Sequence, residues 1–576
     1  MTQPDLSRLP DLLQRTADLL RLSGASDFKA IAYEKASAVV ASEGEHLRDH
    51  ASETSLKSLP NIGSSIAKEL FAYLETGRLP ALEELEARIP AALIEWLEIS
   101  GLGPKGAAKI HQALEITTLT ELRAAIEDGR VADLPGFGKK SAEKILEAIK
   151  WRAQHADRCR YDEALALAET TRDHLKKTEG LRELEIAGSL RRCRETVGDL
   201  DFLSVCDNPE ALHERFRNLP EVTEVLAAGA TKSSVRAGKG RQMDLRTVES
   251  SAFAAALLYF TGSKEHNVFL RGRAREKNLT LNEYGLYPLK EGEADRSNPL
   301  PCATEAELYA ALDLPYTPPE LREGLYESLI RNRQVPDLVT GDDLKGVLHA
   351  HSTWSDGQDT IEAMARACIK QGYRYLGITD HSRSAAYAGG LSIERVQAQW
   401  DEIDALNQTF KDEGVEFILY KGIESDILAD GKLDYPDEIL AGFDFVIASL
   451  HSQLDQEASA MQKRVETALQ HPAVTLLGHP TARLLLKREG AKLQMEPVIR
   501  LAAERGVGIE LNCTPQRMEL DWRWGALAAE VGLKTAICPD AHSVDELQQT
   551  LRYGIPLARK AAFSSERILN CQKVPF

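Results

Sequence analysis

Residues 348–357 read LHAHSTWSDG: an apolar lead, two histidines one residue apart, and an aspartate in the same short segment. Four further stretches set histidine, carboxylate or both in a similar short segment: ITDHS (378–382), GIESD (422–426), SLHS (449–452) with LGHP (477–480), and CPDAHS (538–543). Together they hold six of the seven histidines in the last 240 residues, plus five carboxylates, three of them candidate ligands. The candidate ligands are His349, His351, Asp356, His381, Glu424, His451, His479, Asp540 and His542. A lone histidine of this kind is usually a satisfied core residue. Here nearly every one follows an apolar run that reads as a strand end, so the set reads as one metal centre. A single catalytic zinc takes three protein ligands and keeps one position open. This larger set suits two or three divalent ions, Mn²⁺ or Zn²⁺, of the kind used to cleave phosphate esters.

The chain has 576 residues, enough for roughly three to five domains. With 43% hydrophobic and 27% charged residues it has the composition of an ordinary globular protein. No apolar stretch nears the roughly 20 residues that span a bilayer, so no membrane partner is expected. MTQPDLSRLPDLL lacks the basic and apolar regions of a signal peptide. The eight cysteines form no CxxC pair, as expected for reduced thiols in the cytoplasm. The net charge of −18 divides evenly, −9 before residue 341 and −9 from there on. No basic domain is present to coat DNA. A nucleic-acid partner would have to be met by backbone amides, local patches and metal ions.

Three N-terminal segments share one pattern: SLPNIGSSIAKELFAYL (58–74), EISGLGPKGAAKIHQAL (98–114) and DLPGFGKKSAEKILEAI (133–149). Each sets a Gly-x-Gly-like turn before an Ala/Ile-rich helix, using Gly63, Gly101, Gly103, Gly136 and Gly138. Asn61 replaces the first glycine of the first copy. Asparagine also tolerates the left-handed backbone, so the turn is expected to survive. Such a turn leaves helix N–H groups free to meet an anion, with Lys105, Lys139 and Lys140 close by. The segments resemble the helix-hairpin-helix motif, which implies grip on DNA phosphates. A plain helical bundle with glycine C-caps is the alternative.

Farther on, GSLRRCRETVGDLDFL (188–203) places Asp199 and Asp201 two apart, facing one side of a strand, with Leu200 and Phe202 on the other. Asp244, between Met243 and Leu245, stands on a second expected strand. Three such carboxylates can hold two Mg²⁺ or Mn²⁺ ions. With Gly188-Ser189 upstream and Arg192 to meet a triphosphate, the arrangement resembles the nucleotidyltransferase superfamily. YFTGSKEHN (259–267) resembles the nucleotide-selecting segment of family X DNA polymerases, the family of DNA polymerase beta. That resemblance implies Tyr259 and Phe260 at the sugar, Gly262 for close backbone approach, Asn267 at the base edge, and Lys264 near the nucleotide. LDLPYTPPELREG (312–324) resembles the end of that module.

Residues 344–576 resemble the PHP domain, a distorted (β/α)₇ barrel with metals at the C-terminal strand ends. The resemblance implies that all nine ligand positions are filled. His349, His351, Glu424 and Asp540 would share one ion, and Asp356, His381, His451, His479 and His542 would serve the others. Asp380 would lie behind them; Arg383 and Arg483 would hold a phosphate. The whole chain resembles bacterial family X polymerases with a C-terminal PHP domain, and the expected fold is multidomain. Its parts are an N-terminal helical DNA- and 5′-phosphate-binding domain with the first hairpin (1–85), a helix-hairpin-helix subdomain (86–153), an α/β nucleotidyltransferase palm (154–247), an α+β thumb-like nucleotide-selecting subdomain (248–325), a linker (326–343) and the PHP nuclease (344–576).

The resemblance implies a monomeric DNA-directed DNA polymerase that uses dNTPs to fill gapped or nicked DNA in repair. It also implies a 3′–5′ exonuclease, with abasic-site or 3′-phosphate processing open. Two departures stand out. The lyase lysine of DNA polymerase beta aligns with Glu69, beside Lys68, and glutamate forms no Schiff base; Lys29 and Lys35, near Tyr33, remain for a 5′-phosphate. Gln242 stands where the animal relative has arginine, with Arg241 adjacent. The competing functions are a gap-binding nuclease scaffold with little synthesis and a PHP phosphatase acting on small phosphoesters.

Overall fold

The computed structural model describes residues 4–575 apart from residues 5, 7, 8, 51, 100 and 156. It divides into two compact units, residues 1–156 and 157–576.

The first unit is helical. Asn61, Gly101 and Gly136 all take positive φ (60°, 84° and 86°). Two residues later in each copy, Gly63 and Gly103 adopt extended N-cap geometry before helices Ser64–Thr76 and Pro104–Leu114, and Gly138 precedes Lys139–His155. The turn chemistry expected of the three copies is therefore the turn chemistry found, asparagine included. Buried residues such as Leu20, Ile66, Trp96, Ile110 and Ile145 close one core around them.

The second unit begins with a five-stranded sheet in the order Leu181–Ile186, Asp199–Cys206, Arg241–Thr247, Lys232–Ala237, Val222–Ala228. Its two central strands run parallel, and the other pairs antiparallel. Leu200, Phe202 and Leu245 point to one face, against Phe216 and Leu175. Leu203 and Val205 point to the other, against Phe253, Ala256 and Leu257. Next come helices Phe253–Thr261 and Lys264–Glu276, a three-stranded antiparallel sheet, and helix Glu305–Ala311.

Seven parallel strands follow in strict chain order: Gly346–Ala350, Tyr375–Ile378, Ile418–Asp426, Phe445–Ser449, Val474–Leu477, Gly508–Asn512 and Thr535–Cys538. The sheet closes where Ala541 and His351 meet, the His351 N–H donating to the Ala541 carbonyl at 2.8 Å. Phe445 fills the barrel floor, and glycine is required beside it. A Cβ at Gly377 or Gly422 would stand 2.5 Å from its ring. Ligand-bearing residues follow at the opposite, C-terminal rim.

Residues 326–343, expected as a linker, are packed instead. Tyr326, Ile330 and Val339 are buried, and residues Glu327–Arg331 form a helix. Tyr326 donates to the Lys560 carbonyl at 3.4 Å and the Val339 N–H to the Phe563 carbonyl at 3.1 Å, and Lys560 is also part of a buried lock between sheet and barrel. Trp522 donates its indole N–H to Glu195 at 2.9 Å, and Arg523 pairs with the same carboxylate at 3.0 Å. The Trp522 ring is met by Lys560 at 4.4 Å, Arg523 at 4.5 Å and Arg194 at 5.5 Å. Lys560, fully buried, pairs with Glu323 at 2.8 Å. Burial opposes ionisation of Glu195, but Arg523, Arg194 and the indole N–H outweigh it and hold the pKa at about 2, against 4.5 unperturbed. Its stabilising contribution is therefore complete above pH 4.5 and lost as pH falls towards 2. Glu195→Ala is expected to lower the stability of this unit by about 2–3 kcal/mol at neutral pH. In urea titrations, the gap from wild type should narrow below pH 4.5.

Candidate active sites

On the central sheet, Asp201 stands in parallel register with Asp244, and Asp199 with Gln242. The three aspartates thus meet at one end of the two central strands, on the face that carries Leu203 and helix Phe253–Thr261. A Cβ at Gly188, whose φ is +62°, would collide with the Asp201 carboxylate, so both backbone and space demand glycine there. Burial, then the charges of Asp199 and Asp244, push the Asp201 pKa up to about 7 against the pull of Arg246 and Arg192. Such a crowd of carboxylates invites a cation. Their oxygens do not all come within 4.8 Å of one another, as the barrel ligands do in their groups. Gln242 donates its amide to Asp244 Oδ1 at 3.3 Å. The departure at 242 therefore still touches the site.

Helix Phe253–Thr261 brings Tyr259, 37% exposed, and Phe260 to the same face, their rings edge to face at 5.2 Å. Arg246, two residues beyond Asp244, lies 4.6 Å over the Phe260 ring. Asn267 donates to the Tyr259 carbonyl at 2.8 Å, Lys264 is exposed, and Gly262 has φ +65°. Ser189 is half-buried on the short helix Gly188–Arg191. Arg192 differs from expectation. It is engaged rather than free, paired with Glu323 at 3.0 Å and donating to the Thr261 carbonyl. Glu323 in turn carries Arg194 and Lys560.

At the barrel rim all nine expected ligands converge. Glu424 is their hub: its Oε1 lies 2.9 Å from His479, 3.2 Å from His451 and 3.5 Å from His349, while Oε2 lies 3.0 Å from His381 and 3.7 Å from His351. Three groups could each hold an ion: His349–His351–Asp540, His351–Asp356–His381–His542, and His381–Glu424–His451. The expected partition is therefore too simple, since His351 and His381 each border two groups. Buried His349 Nε2, His351 Nδ1, His381 Nδ1, His479 Nδ1 and Glu424 Oε2 have no aligned hydrogen-bond partner. Such unpartnered nitrogen and oxygen atoms on adjoining side chains of the rim fit divalent cations. His349 and Asp540 also hold positive φ (66° and 52°), a strained backbone of the sort found at functional sites. Burial opposes charging of these groups. Glu424 and Asp356 nevertheless raise His381 to about 11, and Glu424 and Asp426 raise His451 to about 9, whereas burial and neighbouring imidazoles bring His351 down to about 3.

Three residues escaped the sequence reading. Glu510 accepts from His349 Nδ1 at 2.5 Å and from the His479 N–H. Asp426 lies 3.2 Å from His451 Nδ1. Both are charges inside apolar strands, which was the available signal. Arg517 sits 4.0 Å from Asp540. The two arginines expected to hold phosphate are placed differently. Arg483 is consumed by Asp521 at 2.7 Å and by the carbonyls of Arg517 and Met518, and Arg383 leans on Asp434 at 3.3 Å. Asp380 is buried behind the ligands, bonded to Ser352, Ser355 and Gln399.

In the first unit Gly63, Gly101, Gly103, Gly136 and Gly138 all sit where a Cβ would meet nothing but Lys109 near 136. Lys105 pairs with Asp27 at 2.8 Å; Lys29, Lys35, Lys139 and Lys140 are exposed. Glu69 accepts from the Ala81 N–H at 3.0 Å, beside exposed Lys68.

Four family models match: a helix-hairpin-helix domain (7–79), a SAM-like helix-hairpin-helix tandem (91–150), the DNA polymerase beta thumb (256–323) and the PHP domain (348–514). The chain is 37% identical over its whole length to the DNA polymerase/3′-5′ exonuclease PolX of Bacillus subtilis (strain 168), covering 98% of that protein. It belongs to the family X DNA polymerases that carry a C-terminal PHP domain. DNA polymerase lambda of Rattus norvegicus is 25% identical over 46% of the chain and 48% of its own length. A probable phosphatase of Thermoanaerobacter sp. (strain X514) is 29% identical over 39% of the chain and 91% of its own. Among the described residues no helix is long and apolar enough to cross a membrane.

Glu510 holds the imidazole of one candidate ligand, His349, and the backbone of another, His479, without belonging to the expected set. Glu510→Gln is expected to weaken Mn²⁺ affinity by about 10–100-fold. Titration calorimetry on the metal-stripped protein measures this, with circular dichroism checking that the fold is kept.

Proposed function

We propose that the chain is a DNA-directed DNA polymerase that fills short gaps with dNTPs, and that its barrel trims 3′ ends. What supports the reading is that both sets of acidic and imidazole side chains are complete and assembled within a chain alike over its whole length to a polymerase/exonuclease. On the sheet, Asp199, Asp201 and Asp244 serve synthesis. Gly188, Ser189 and the adjoining amides offer donors to a triphosphate. Tyr259 and Phe260 border the sugar, Gly262 lets the backbone approach, Asn267 meets the base edge and Lys264 the nucleotide. Arg192 shapes this loop through Thr261 and Glu323. The glycine turns of the hairpins, with Lys29, Lys35, Lys105, Lys139 and Lys140, meet DNA phosphates without reading sequence. Mg²⁺ or Mn²⁺ held by the aspartates, and Mn²⁺ or Zn²⁺ in the barrel, would when bound stabilise charge on the phosphoryl group and activate the attacking oxygen.

A phosphatase-like action on small phosphoesters is the second reading, favoured by the likeness of the barrel to the Thermoanaerobacter protein over 91% of that protein's length. A time course on a one-nucleotide gap, with and without dNTPs, separates these readings. Asp199→Ala with Asp201→Ala should reduce gap filling at least about 10³-fold, a loss in line with removing preorganised charge stabilisation, and should leave trimming. His349→Ala with His351→Ala should do the reverse. Gap filling that survives the first pair refutes the polymerase site. Full trimming by the second pair refutes the nuclease. With Glu69 at the lyase position, borohydride should trap no adduct with a 5′-deoxyribose phosphate; trapping at Lys68 would overturn that expectation.

A further inference from the structure

Two side chains at the barrel mouth are left without a task by the ligand set. Tyr387 is 73% exposed, yet its ring lies 6.2 Å from that of His381 and 6.5 Å from that of His451. The turn that carries it is firmly built. The Leu391 N–H donates to the His381 carbonyl at 2.9 Å, and the Ala388 and Gly390 N–H groups donate to Ala385 at 2.9 and 3.1 Å. Arg395 donates to the Gly389 carbonyl at 2.7 Å, and the Ser384 N–H to Asp434 at 2.6 Å. A ring bare to solvent, carried on a hydrogen-bonded turn and set beside two candidate ligand imidazoles, has the form of a stacking platform.

The second side chain is Arg517. Its Nε lies 4.0 Å from Asp540 Oδ2, and its Nη1 is buried with no hydrogen-bond partner. Arg488, whose buried Nε is also unpartnered, lies near enough for the two like charges to act on each other. Each guanidinium group thus keeps one unpartnered N–H donor next to the candidate ligand rim, beyond what Asp540 beside Arg517 and the Ala482 carbonyl bonded to Arg488 take up. Tyr387 borders His381 and His451, and Arg517 borders Asp540, so both flank one and the same ligand set. One ligand could therefore touch both.

We propose that Tyr387 and Arg517 form the subsite for the terminal nucleotide in the barrel: the base stacks on the exposed face of Tyr387, and Arg517 donates to the phosphate. The proposal rests on the nuclease reading and names its recognition elements. A small phosphomonoester would need Arg517 alone, and a nucleotide uses both.

The test compares wild type with Tyr387→Ala, Tyr387→Phe, Arg517→Gln and Arg517→Lys. The probe is a single-stranded tetranucleotide ending in 2-aminopurine at its 3′ end, added to protein freed of metal with a chelator. Wild type and Tyr387→Phe are expected to quench the terminal fluorophore. Tyr387→Ala should lose the quenching and bind about 5–100-fold more weakly, the span of one base–aromatic stack. With Mn²⁺, the ratio of kcat/KM on this oligonucleotide to that on p-nitrophenyl phosphate should fall about tenfold or more in Tyr387→Ala through KM. Arg517→Gln should lower kcat/KM on both substrates, with Arg517→Lys partly restored. Absent quenching in wild type, or wild-type quenching and KM in Tyr387→Ala, overturns the platform. Unchanged activity of Arg517→Gln on both substrates overturns the phosphate role. If wild type with Mn²⁺ does not shorten the oligonucleotide, the nuclease reading fails and takes the subsite with it; if wild type does and the variants match it, only the subsite fails.

Discussion

The carboxylate of Glu424 is the point on which the barrel mouth turns. It is fully buried, it has five imidazoles within 3.7 Å, and its Oε2, though 3.0 Å from His381, makes no aligned hydrogen bond. A carboxylate in that position is tolerable only as an anion surrounded by positive charge. Without metal, that charge must come from protonated histidines, and Glu424 and its fellow carboxylates raise His381 and His451 accordingly. With metal bound, the same imidazoles would have to be neutral to serve as ligands. Protons and cations thus compete for one set of atoms, and metal affinity must fall as pH drops.

This constraint explains which parts of the site could be read from the chain. The convergence of the nine candidate ligands was legible because each histidine or carboxylate interrupts an apolar strand at its end, and a closed parallel barrel brings all such ends to one rim. Asp199, Asp201 and Asp244 were legible for the related reason that alternation on a strand fixes the face, and Asn61 because few residues other than glycine accept its φ. What stayed hidden depends on side-chain partners distant in sequence. Arg192 and Arg483 look like free cations until Glu323 and Asp521 meet them. Glu510 and Asp426 look like lapses in apolar runs until an imidazole nitrogen is found beside each. The packing of the segment expected as a linker was hidden for the same reason: nothing local in residues 326–343 says that Lys560 and Phe563 wait to receive them.

Those distant partners also tie synthesis to trimming within the second unit. The loop after Ser189 is held at Arg192 and Arg194 by Glu323, Glu323 is held by Lys560 of the barrel, and Lys560 packs on Trp522, which binds Glu195 of the same loop. The circuit is closed and buried. Turning the sheet away from the barrel would strip Lys560 of its contacts to Glu323 and the Arg192 carbonyl in a low-dielectric interior. That loss is among the most costly a folded chain can meet. A hinge at this seam is therefore disfavoured, and a 3′ end that is to be both extended and trimmed must itself travel between the aspartates of the sheet and the rim of the barrel.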